Sequence, residues 1–145
     1  MRRPWAGAAA ILGPAVGVIV LGISVVTAWL VRGTSEPLLG GSSVPIVLGT
    51  GVGLIIAGAG LVAAFRPALR ARRAYEVAGG ALVVLAAAFL FEHATGLSLG
   101  IDFPSIHQRV AEDPGRMSLP TAAAFLITGL LLLTIPPPRT RIARL

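Results

Sequence analysis

Cysteine is absent from the 145 residues, which excludes disulfides, thiolate chemistry and cysteine-rich metal sites. Lysine is absent too, so all twelve basic side chains are arginines. Charge of either sign is scarce: 12% of residues are charged, against roughly a quarter in a soluble domain. So little polar surface cannot cover a water-facing exterior, and the mean hydropathy of +0.86 fits a chain built for lipid. No ionisable residue stands in the middle of an apolar run, which argues against the proton or ion pathway of a pump. Covalent catalysis also lacks its parts. No serine lies in a nucleophile motif, and both histidines, His93 and His107, fall in one short stretch. The expectation is a non-enzymatic chain with no cofactor. The pI near 11.7 does not indicate nucleic acid, because the arginines flank apolar runs and form no basic patch interleaved with aromatics.

What is present is four apolar segments, at about 6–31, 44–65, 75–95 and 119–135. The first follows Met1-Arg2-Arg3, as in a signal peptide, but it exceeds the ~7–15 residue apolar core of one and no small-x-small cleavage site follows. Trp5 and Trp29 are about 36 Å apart along a helix, a spacing that would set one indole at each face of a ~30 Å hydrocarbon layer. Gly13-Pro14 predicts a kink near the start. Residues 32–43 are rich in glycine, serine and proline and read as a loop. In the second segment Gly49, Gly53 and Ala57, continued by Gly60, line one face as a small-residue stripe. Such a stripe admits a close neighbour, either within the bundle or from a second copy in a homodimer.

Residues 66–73 carry four arginines and read as the middle loop. Glu92 and His93 then arrive about 27 Å beyond Arg73, at the far face. Pro120 is tolerated in the first turn of the last segment, with Ser118 as its cap, and Pro136-Pro137-Pro138 ends it. Nine arginines lie on one side of these spans and three on the other. The positive-inside rule then places both termini in the cytoplasm. The expected fold is all-α: an integral membrane four-helix bundle in the bacterial inner membrane.

The second outer loop, 96–118, is the most polar stretch. Ser105 and Gln108 fit a capping box, predicting a short interfacial helix over 105–112. Glu92, His93, Asp102, His107, Glu112 and Asp113 form an outward group whose side chains suit a metal, although their spacing matches no established motif. Histidine ordinarily titrates near neutrality, so His93 also invites a pH-sensing reading. Arg116 either anchors helix depth or pairs with Asp102 or Glu92 to pin the loop over the bundle.

Gly100-Ile101-Asp102, Pro114-Gly115-Arg116-Met117-Ser118, Thr121-Ala122, Phe125 and Gly129 resemble a signature, GID…PGRMSPNTAL-x-F, of a membrane region in bacterial sensor proteins. The resemblance covers about 92–133. Leu119-Pro120 departs from it, standing where Pro-Asn is usual. It implies a signal-input part placed before a PAS, histidine kinase or diguanylate cyclase module. Glu92, His93, Asp102 and Arg116 are the candidate signal-receiving residues. No such module lies within the 145 residues, which leaves an excised input region or a stand-alone protein that kept only the membrane part. A small structural or partner-binding membrane protein is the alternative.

Overall fold

The computed structural model describes residues 5–33, 46–65, 69–101 and 116–136. Among them are four helices and no strand: α1 (Trp5–Arg32), α2 (Leu48–Ala64), α3 (Leu69–Thr95) and α4 (Leu119–Thr134). The short helix expected over 105–112 and Asp102 lie outside the described residues, as does the side chain of Trp5. Within α1 and α3, Leu12–Val31 and Ala71–Thr95 are long and apolar enough to cross a membrane. At 17 and 16 residues, α2 and α4 span about 24–26 Å each.

Along α2 small side chains face in, and large aliphatics of the other helices face out. The buried positions of α2 are Leu48 and six glycines or alanines. Meanwhile Val20 and Leu30 of α1, Val77 and Val84 of α3, and Ile127 and Leu131 of α4 are exposed. Hydroxyls inside the helices bond their own backbone, Ser24 to the Val20 carbonyl and Thr128 to the Ala124 carbonyl, both at 2.8 Å. They therefore need no polar neighbour.

The helices join through two kinds of contact. Against α1, α2 makes backbone contact: a Cβ on Gly22 would stand 2.7 Å from the Gly51 carbonyl oxygen, and one on Gly58 2.8 Å from that of Ala15. On its other side α2 offers the predicted stripe, and aromatic rings fill it. Gly49 faces Phe89 of α3, Gly53 lies under the Phe125 ring of α4, and Gly60 faces Leu132 and Ala78. The stripe is thus an interface within the chain, with side chains seated in it where a helix backbone was expected. Backbone meets backbone again where α3 crosses α4. There a Cβ on Gly79 would sit 2.9 Å from the Gly129 oxygen, and one on Gly129 2.8 Å from the Gly79 oxygen. Tyr75, Leu82, Ala86 and Phe89 of α3 pack with Ala57, Met117, Ala122, Phe125 and Leu132 to make the main core.

Three expectations are corrected. Trp29 is 3% exposed and no interfacial anchor; its Nε1 donates to the Ile46 carbonyl at 2.6 Å, and it packs with Val25 and Leu48 where α1 meets the entry to α2. The α1 helix ends there because Gly33 adopts φ 73 and its amide returns to the Trp29 carbonyl, a left-handed cap. Pro14 lies inside α1, which runs on through it as one helix. α3 starts at Leu69, ahead of the expected 75, so Arg72 and Arg73 are helical. Arg72 Nε donates to Glu76 Oε1 at 2.6 Å, an i,i+4 pair that supports the added turn. Ser118 has N-cap geometry, but its hydroxyl bonds the Thr121 hydroxyl at 2.8 Å and not a backbone amide. Pro120 at the second helical position has no N–H to offer, which removes one of the two usual targets.

Candidate functional site at the base of the α3–α4 connection

The last turn of α3 is where polar chemistry collects. α3 ends at Gly96, which takes φ 71 and returns its amide to the Glu92 carbonyl at 2.9 Å. Thr95 Oγ1 donates to the Phe91 carbonyl and accepts the Leu97 amide, tightening the exit. Gly100, at φ 74, closes the next turn with its amide on Ser98 Oγ at 3.3 Å.

Glu92 does not join an outward group. It is fully buried, while residues 93–100 are exposed. Its position explains this: Glu92 follows Phe89 by three residues, continuing the core face of α3 to the end of the helix. One carboxylate oxygen accepts the Leu99 amide and so holds the turn that leaves α3. The other, Oε2, is enclosed and has no hydrogen-bond partner among the described residues. Neither oxygen meets Arg116, so the Arg116–Glu92 pair considered from the sequence is not made.

His93 reaches the other end of the connection. Its Nε2 donates to the Met117 carbonyl at 2.7 Å, which places a ring proton on Nε2. Met117 is itself fully buried in the main core, against Phe89 and Ala122. Two consecutive residues of α3 therefore hold both ends of residues 96–118, Glu92 where the chain leaves and His93 where it returns. Arg116, next to Met117, is half-buried, and its possible partner Asp102 lies outside the described residues.

The structure thus brings Glu92 and His93 together with Leu99 and Met117. The two latter contacts are to backbone atoms, which residue types cannot signal. Among the described residues no three His, Cys, Asp or Glu side chains come together as metal ligands. The geometry suits holding and releasing chain more than bond chemistry. Elsewhere, two shallow grooves, of about 400 Å³ beside Ala81, Val84 and Ala88 and about 500 Å³ beside Thr128 and Leu131, are lined mainly by apolar side chains. The chain matches no family model, no curated protein and no solved structure.

Proposed function

We propose that this chain is a four-span region of a bacterial inner membrane, with both termini in the cytoplasm, serving as the signal-input part of a sensor. One observation carries the membrane reading: large aliphatic side chains stand exposed on α1, α3 and α4. Exposed apolar surface of that extent needs a cover, and a bilayer is the cover that fits helices this apolar. A buried core helix of a soluble protein would have most of its length enclosed, whereas only 28% of each long apolar window is buried. The arginine asymmetry supports the orientation, and the signature around Arg116 supports the sensory role.

In this reading the 96–118 connection faces outward and receives the signal. Glu92 and His93 couple its two ends to α3, and α4 carries the change to a cytoplasmic kinase or cyclase module. Two experiments test this. A cysteine at Ser98 reacts with a membrane-impermeant thiol reagent in intact cells and one at Ala74 does not; both positions are exposed, unlike Ala71, which is buried. Reaction at Ala74 from outside overturns the orientation. Residues 1–145 fused to a reporter kinase should show altered basal output with His93→Ala, and with Arg116→Ala and Asp102→Ala if those two pair, at normal membrane insertion. Unaltered output in all three removes the input role.

A further inference from the structure

Burial and charge conflict at Glu92. The side chain is 0% exposed, Oε1 accepts one backbone amide, and Oε2 has no donor among the described residues. Removing a carboxylate from water costs several kcal/mol unless something positive meets it. The site adds to that cost, because the final turn of α3 presents the negative end of a 27-residue helix dipole. A buried anion at a helix C-terminus is doubly unfavourable alone, and both terms favour a cation beside it.

Among the described residues no hydrogen-bond donor reaches Oε2. His93 gives its Nε2 proton to Met117, and Met117 is apolar. The neighbouring turn is solvent-facing. Leu97, Ser98 and Leu99 are exposed, and the flanking Gly96 and Gly100 have open space where a Cβ would stand. Among polar contacts of this turn, the Leu99 amide bond is the one that ties it to Glu92.

We propose that Glu92 Oε2 is the anchor of a site for a monovalent cation, entered beneath the 97–99 turn. A single carboxylate with no second or third acidic or histidine ligand among the described residues suits one positive charge better than two. The charge could be an inorganic ion or the ammonium group of an amine, and the two are distinguished by experiment. The inference rests on the input reading for its purpose and not for its chemistry: binding would seat the turn by which the connection leaves α3.

The test is thermal unfolding of the full chain in detergent at constant ionic strength. N-methyl-D-glucamine chloride, too bulky for the site, is replaced stepwise by sodium, potassium or methylammonium chloride. The expected result is a saturable rise in Tm with at least one of the three, retained in Glu76→Gln and lost in Glu92→Gln, whose amide keeps an acceptor for Leu99. Response to sodium or potassium alone assigns an inorganic ion; response to methylammonium alone assigns an amine. No response in the parent, or an equal one in Glu92→Gln, overturns the site. So does a parent that is silent beside an Arg116→Gln variant that responds, since the chain's own guanidinium would then occupy the seat. Should Glu92→Gln fail to fold, a cysteine at Leu97 gives a second reading in an otherwise native chain. Its labelling should slow several-fold as the effective cation is added, and an unchanged rate overturns the proposal. Failure here leaves the reporter fusion free to succeed, so the two ideas fall separately.

Discussion

The α1–α2 contact and the α2 face toward α3 and α4 use glycine in different ways. At the first, Gly22 and Gly58 let two backbones touch, and aliphatic side chains interlock beside them: Ile55 at Gly22, Ile19 at Gly58, and Val25 and Val26 at Gly51. In the second, Gly49 and Gly53 are sockets, and the rings of Phe89 and Phe125 are what they hold. Backbone contact gains dispersion along a smooth line, whereas a ring in a socket fixes position along the helix as well. The two regions differ in what is seated: aliphatic side chains beside touching backbones hold α1 on α2, and aromatic rings in glycine sockets hold α3 and α4 on it.

The largest effect should come from emptying or blocking a socket. Gly53→Leu collides with Phe125, and overpacking of this kind costs about 1–3 kcal/mol. A marked fall in Tm in detergent is expected, while Ala59→Leu, at an exposed position of the same helix, should change stability by no more than about 0.5 kcal/mol. Phe125→Ala combined with Gly53→Leu should recover part of the loss, because the two residues share one space. Additive losses would show that the ring and the socket are independent.

Next in size is a test that separates the two regions. In a Trp5→Phe background, Gly22→Leu should separate α1 from α2 and release Trp29, seen as a red shift of tryptophan emission. Gly129→Leu should instead disturb the α3–α4 crossing and leave Trp29 emission in place. Equal shifts in both would mean that the four helices pack as one unit and the contrast fails.

A smaller effect is expected at the base of the connection. His93→Ala removes the donor to the Met117 carbonyl, a loss of about 1 kcal/mol. Amide exchange should rise around Met117 and at the start of α4, with residues near Leu99 spared because Glu92 holds them separately. The smallest effect belongs to Arg72→Ala. Its pair with Glu76 is half-exposed and screened by water, so a Tm change beyond a degree or two would be unexpected.

Much of the fold was legible because apolar run length needs no tertiary knowledge. The four helices of the described residues match the four predicted segments, α1 to within one residue at each end, except that α3 begins six residues early. There Arg66, Arg70, Arg72 and Arg73 masked a helix that the Arg72–Glu76 spacing could have revealed. The stripe at Gly49, Gly53 and Ala57 was legible as an interface, since small residues at that spacing share a helix face. Glu92 was misread because a charged residue at the end of a span is usually solvated, although its three-residue step from Phe89 placed it on the core face. The Gly79–Gly129 crossing left no comparable signal: neither glycine belongs to a small-residue repeat at helical spacing like that of α2, and only their meeting gives them a role.

By itself the sequence determined composition-driven properties: helix number, approximate ends, the small-residue face and the arginine asymmetry. Each depends on residue type and spacing along one chain. Tertiary structure decided which side chain fills each glycine socket, why Trp29 turns inward, and how Glu92 and His93 divide the two ends of the connection. Those outcomes depend on backbone carbonyls and amides at Ile46, Leu99 and Met117, groups that every residue carries and that become specific only when packing brings them within about 3 Å of a side chain.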